Sequence, residues 1–162
     1  MHVFTDGSTI NNGKKNSKGG VGVFFPSKKK FNLSQPFYIK PITNIRTELY
    51  AVISAIMIYT NYISKKGSLI IYTDCEYVIN SVNKWINIWK KNNWKTIQGK
   101  KVKNKDLIEC LYLLIKHYKN IKFKFVHIKA HKEPPKNKNS TQYKLWYGNY
   151  FADKLSKLSY NN

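Results

Sequence analysis

Only eight carboxylates occur in this chain, Asp6, Glu48, Asp74, Glu76, Asp106, Glu109, Glu133 and Asp153, against 29 lysines and arginines. Two of them close short apolar runs with the same Thr-Asp ending, HVFTD at 2–6 and LIIYTD at 69–74. Such runs, rich in β-branched and aromatic residues, read as buried strands. If they are parallel neighbours joined by a helical crossover, both carboxylates emerge at one edge of a sheet. Like charges held together there are costly unless a proton or a cation intervenes. Mg²⁺ suits an oxygen-only cluster that has no His or Cys partner. A single Asp in such a place serves equally well as a helix N-cap, and a helix follows Asp74. The matched pair favours the metal.

Two further acids lie on helical patterns. Thr43 is a plausible N-cap for a helix over 44–63, whose buried face is Ile45, Leu49, Val52, Ile53 and Ile56. Glu48 falls at the edge of that face beside the small Ala51 and Ala55, with Asn44 one turn earlier. Asp153 repeats the arrangement on a final helix over about 145–158, with Phe151, Leu155 and Leu158 as the packing stripe and Asn149 one turn before. Taken singly, each is a residue on a solvated flank. Their recurrence matters because an amide next to a metal-bound carboxylate can hydrogen-bond a substrate.

The elements that must position these acids follow from periodicity. Strands are expected at 2–6, 21–25, 37–41, 69–73 and 121–128, and helices at 44–63, 75–83, 104–118 and 145–158. Leu107, Leu111, Leu114 and Ile115 would face inward on the third helix. A Trp/Lys segment covers 84–94, and 132–144 reads as a flexible basic loop. The order predicts one α/β domain around a mixed sheet, and 162 residues suffice for a real core. Hydrophobic content of 42% argues against a disordered chain. Cys75 and Cys110 have no metal or disulfide spacing. There is no membrane-length apolar run and no signal-like start, so an intracellular, soluble protein is expected. The net charge of +21 draws a polyanion, most commonly nucleic acid, although a lysine-biased composition alone would produce the same number.

TDGS at 5–8, TNIRTEL at 43–49, YTD at 72–74, KAH at 129–131 and GNYFAD at 148–153 resemble type 1 ribonuclease H, in that order. WINIWKKNNWKTIQGKKVKNKDL at 85–107 resembles the basic protrusion, about 84–103 here, of its cellular, eukaryotic-type members. The resemblance implies a ribonuclease H-like fold, a mixed five-stranded sheet flanked by helices. It also implies hydrolysis of the RNA strand of RNA–DNA hybrids with two Mg²⁺ ions, Mn²⁺ being a possible substitute. Asp6, Glu48, Asp74 and Asp153 would be the metal-binding carboxylates, and His131 would assist proton transfer or product release. Asn12, Asn44 and Asn149 would approach the hybrid, where the 2′-OH distinguishes RNA from DNA. Trp85 and Trp89, at i and i+4, would share one face with Lys90, Lys91, Lys95, Lys100 and Lys101 around them. Thr43, Tyr77 and Asn104 stand at the family's DNA-phosphate and sugar positions. Departures are Ile45 where a polar residue is usual, Pro41 where a phosphate-binding Arg aligns, and Ala130 in place of a Gly.

Two alternatives belong to other classes. One is a hybrid-binding module without catalysis, which the four acids argue against. The other is a DNA nuclease of the same superfold, which the Trp/Lys segment and the asparagines argue against. A monomer is expected, without a membrane partner.

Overall fold

The computed structural model describes residues 1–130 and 133–160. Five strands form one mixed sheet in the order β3-β2-β1-β4-β5. They are β1 (His2–Ile10), β2 (Lys18–Phe24), β3 (Leu33–Phe37), β4 (Gly67–Thr73) and β5 (Ile121–His127). The first three are antiparallel hairpin partners, whereas β1, β4 and β5 run parallel. Between β3 and β4 comes α1 (Asn44–Ile58); α2 (Glu76–Asn80), α3 (Ile86–Lys91) and α4 (Lys105–His117) separate β4 from β5; α5 (Thr141–Leu158) closes the described fold. Among the described residues no helix is long and apolar enough to cross a membrane.

The two sheet faces bury different chemistry. Val3, Val21, Val23, Leu69 and Ile71 pack against the apolar face of α1, including Leu49, Val52, Ile53 and Ile56, and against Leu107, Ile108 and Leu111 of α4. Phe4 and Phe24 face the other way, onto α5 through Ala152 and Phe151. Alternation along β1 thus sends Val3 and Phe4 to opposite layers, as a strand buried on both faces requires.

Several boundaries differ from the sequence expectation, each for a physical reason. The third strand is Leu33–Phe37, not 37–41. Pro36 is tolerated within it because β3 is an edge strand, where one missing donor is harmless. Asp6 does not end β1, which continues to Ile10 against β2. Only the parallel ladder to β4 stops, at Phe4–Tyr72, so Asp6 and Asp74 both lie two residues beyond the last pair. The helix expected over 44–63 is α1 to Ile58 followed by a wider turn to Ile63. The path from Glu76 to Lys91 is nearly continuous helix through a wide turn at Ser81–Trp85. On α4 it is Ile108 that joins Leu107 and Leu111 in full burial, while Leu114 and Ile115 are half-buried. The last helix starts at Thr141 rather than 145, because the Ser140 hydroxyl accepts the Tyr143 N–H.

Candidate metal centre and nucleic-acid interface

Asp6, Glu48 and Asp74 each bring one carboxylate oxygen to within 4.8 Å of the other two. Three elements converge to do this: β1, the first turns of α1, and the C-terminal end of β4. The approach of α1 depends on Gly7, where an added Cβ would stand 2.2 Å from the Glu48 backbone nitrogen. Glycine at this one position therefore sets the distance between strand and helix. The Gly7 N–H also donates to the Glu48 carboxylate.

Each carboxylate is held by a neighbour. Ser156 Oγ, fully buried on α5, donates to Asp6 Oδ2 at 2.5 Å. Asn149 Nδ2 donates to Asp74 Oδ2 at 3.1 Å. Glu48 is 3% exposed, and its Oε2 has no hydrogen-bond partner. A buried carboxylate oxygen without a partner is expensive, and the expense rises with two more carboxylates beside it. Burial, followed by the charges of Asp74 and Asp153, pushes Asp6 up to about 7 despite the Ser156 hydrogen bond. Burial and the charges of Asp6 and Asp74 push Glu48 well above the usual carboxylate range. This donor set fits a hard divalent cation: oxygen-only, anionic, pre-aimed, with one oxygen unpartnered.

Asp153 is not among the three converging residues. Lys157, one turn along α5, holds it with Nζ 2.7 Å from Oδ1 and 2.8 Å from Oδ2. Its charge is still felt at both Asp6 and Glu48. The residues that α5 buries are Gly148, Asn149, Ala152 and Ser156; of the expected stripe, Phe151 and Leu155 pack half-buried against the Phe4 and Phe24 cluster, and Leu158 is exposed. Small residues there let the helix lie close on β2, where a Cβ on Gly22 would stand 2.0 Å from the Ala152 carbonyl oxygen. His131 lies outside the described residues.

Beside the carboxylates, the turn after β1 meets the start of α1. Asn12 Oδ1 accepts the Asn44 N–H at 2.9 Å, and Thr43 caps α1 by accepting from the Arg46 N–H at 3.4 Å. Arg46 is buried and grips Asp106 with both terminal nitrogens, at 2.8 and 2.6 Å. The same guanidinium reaches Asn104 Oδ1 at 3.5 Å. Asn104, in the left-handed region at φ 60°, also hydrogen-bonds Tyr77. Thr43, Asn104 and Tyr77 thereby belong to one network anchored on a buried arginine. Neither Arg46 nor Ser156 stands out in the sequence. A cation inside an otherwise apolar helical pattern was the available signal for Arg46, and a hydroxyl in line with Ala152 was the signal for Ser156.

An aromatic surface continues from Tyr77. Its ring meets Trp85 edge-on at 5.4 Å, and Trp85 lies 5.4 Å from Trp89. Both tryptophans are half-buried, and they line a groove whose other wall includes Lys100, Lys101 and Lys103. Lys90 and Lys91 do not line it. Lys90 donates to Tyr112 Oη at 2.6 Å and lies over that ring, and Lys91 is exposed. Trp94 packs against the core, with Lys105 over its ring.

The RNase H family model matches residues 1–160. The chain belongs to the ribonuclease H family. It is 37% identical over 155 residues to ribonuclease H of Schizosaccharomyces pombe, covering 96% of this chain and 51% of that protein. It is 36% identical to ribonuclease HI of Haemophilus ducreyi, covering 100% of this chain and 91% of the relative. The chain therefore spans about half of the yeast relative and nearly all of the bacterial one. Among solved structures it superimposes on a foamy viral protease-reverse transcriptase in complex with dsDNA, with a TM-score of 0.70 and 25% identity, covering 99% of this chain and 94% of that chain. The solution structure of the RNase H domain of PFV gives a TM-score of 0.68 at 23% identity, covering 97% and 92%. The five-stranded mixed sheet with flanking helices is the ribonuclease H-like fold.

Proposed function

We propose that this protein is a divalent-metal-dependent endoribonuclease that hydrolyses the RNA strand of RNA–DNA hybrids, leaving 5′-phosphate and 3′-hydroxyl ends. The observation that carries this reading is the convergence of Asp6, Glu48 and Asp74 within 4.8 Å, with a buried Glu48 oxygen left unpartnered. Asp6, Glu48, Asp74 and, after release from Lys157, Asp153 are the residues that would hold Mg²⁺, with Mn²⁺ as a substitute. Two bound ions supply an activated water and a stabilised leaving oxygen for in-line displacement at phosphorus.

The chain's own residues do the positioning. Ser156 fixes one Asp6 oxygen by its hydrogen bond to Oδ2. Asn149 fixes one Asp74 oxygen in the same way and stands where an RNA backbone would pass. Asn12 and Asn44, coupled to each other, would meet the minor groove, where the 2′-OH marks RNA. The Arg46–Asn104–Tyr77 network and Thr43 would receive a DNA phosphate. The Trp85/Trp89 surface with Lys100, Lys101 and Lys103 would carry the sugars and phosphates beyond it. His131 would serve the leaving side.

The test is cleavage of an end-labelled RNA–DNA hybrid in Mg²⁺, beside single-stranded RNA, double-stranded RNA and DNA duplex. Cleavage confined to the RNA of the hybrid is expected. Equal cutting of DNA duplex would assign the chain to a DNA nuclease of the same fold. Tight hybrid binding without cutting in any divalent metal would make it a binding module.

A further inference from the structure

A cavity of about 360 Å³ opens on the α5 side of the sheet, toward the start of β1. Small-ligand sites run to about 300–1,000 Å³, so this one has room for a flat ring. Its walls are aromatic: Phe4 stacks on Tyr72 at 4.7 Å, His2 stacks on Tyr72 at 5.7 Å, and Tyr147 closes the helix side. Three sources of positive charge surround the mouth. Lys144 lines it. Pro26 and Ser27 line it too, and run directly into the exposed Lys28 and Lys29, whereas Lys30 turns away over the ring of Phe31. Thr141, the first residue of the 18-residue α5, stands at the rim and brings the positive end of the helix dipole.

No carboxylate offsets this charge nearby in sequence. The chain has no Asp or Glu between Asp6 and Glu48, nor between Glu133 and Asp153. The cavity adjoins the carboxylate centre without sharing a residue with it: its lining holds none of Asp6, Glu48 and Asp74, although Phe4 and Tyr72 stand two residues before Asp6 and Asp74. Lys144 at its mouth lies five residues, about 7.5 Å, from Asn149 along α5. The Trp85/Trp89 groove belongs to the α1 side, where Trp89 packs against the α1 core.

We infer that this cavity is a second nucleic-acid site, one that takes an unpaired base of a single strand against the aromatic wall of His2 and Tyr147 while Lys144, Lys28, Lys29 and the α5 N-terminus hold the flanking phosphates. Aromatic walls accept any base by its π-face, and lysines with a helix end recognise phosphate without reading sequence. A purely apolar ligand would leave the charged mouth unused. The site would hold a single-stranded extension of the substrate or a displaced strand while the hybrid occupies the main groove.

The test is an amide NMR titration of the full chain with a six-nucleotide thymidylate strand, beside a glutamate hexapeptide. The thymidylate strand should shift Phe4, Tyr72, Lys144 and Tyr147. His2→Ala with Lys144→Glu, both at exposed positions, should lower strand affinity ten-fold or more and leave hybrid cleavage unchanged. Lys144→Arg should retain the affinity. Shifts confined to Glu48, Trp85 and Trp89, or unaltered affinity in the double variant, would overturn the assignment. Equal affinity and equal shifts with the glutamate peptide would give the surface to an acidic protein instead. Strand binding here is independent of hybrid cleavage, so either inference can fail while the other stands.

Discussion

Asp6 and Glu48 are buried next to each other's charge, which ties protonation to stability in the absence of metal. Asp6 moves from the ordinary 3.8 to about 7 in the folded chain, and Glu48 moves the same way. The folded state thus holds these protons more tightly than the unfolded chain. The Asp6 contribution to stability is full below about 4 and is lost as the pH rises through about 7, and Glu48 acts in the same direction. The metal-free protein should therefore melt at a higher temperature at pH 5 than at pH 8, and added Mg²⁺ should raise the melting temperature most at pH 8. A calorimetric series with and without the ion checks both, and a metal-free melting temperature that rises from pH 5 to 8 would contradict the cluster. At this scale the sequence showed which acids were unusual, because scarcity and the repeated Thr-Asp ending marked them. It did not show what holds them. Ser156 reaches Asp6 across 150 residues of chain, and Arg46 pairs with Asp106 across 60. Such partners are chosen by the fold, not by local spacing.

Gly7 and the Trp-bearing helical path decide the outcome at the scale of elements. Gly7→Ala places a methyl group against the Glu48 backbone and must push α1 away from β1. Such overpacking costs roughly 1–3 kcal/mol. Cleavage should fall further than stability, because the distance between the Asp6 and Glu48 carboxylates changes directly; denaturant melts and turnover on the same sample separate the two. Replacing Trp85 and Trp89 by Ala removes the half-buried aromatic surface beside Tyr77. Base and sugar stacking of this kind is worth about 1–3 kcal/mol per ring, so hybrid affinity should drop roughly ten-fold or more. Single-turnover cleavage at saturating protein should change little, and an unchanged titration would mean that the rings serve the core alone. Strand and helix order were legible from periodicity, since strongly apolar segments such as 69–73 and 121–127 have one good solution. The third strand was not, because prolines at 36 and 41 made the edge strand look like a boundary. The start of α5 was missed for a related reason: a serine cap inside a Lys- and Asn-rich segment gives little contrast.

Across the whole molecule, the charge of +21 surrounds a small anionic centre. On the proposed function, that separation would attract phosphate over most of the surface and reserve one spot for cations. Hybrid binding should therefore weaken steeply with salt; a protein neutralising 6–10 phosphates loses about 10³–10⁵ in affinity between 50 and 200 mM. A flat salt profile would contradict the electrostatic account. The measurement that bears most directly on the central claim is a Mg²⁺ titration of hybrid cleavage by the unaltered chain and by Asp74→Asn. The isosteric change keeps the Asn149 neighbourhood filled and removes one carboxylate charge from the cluster. The account predicts metal-dependent cleavage of the RNA strand by the unaltered chain. It predicts that the variant retains fold and hybrid binding but is slower by about 10³-fold or more, the several kcal/mol that a metal-stabilised oxygen supplies. Near-normal turnover by Asp74→Asn, or cleavage that persists in a chelator, would contradict it.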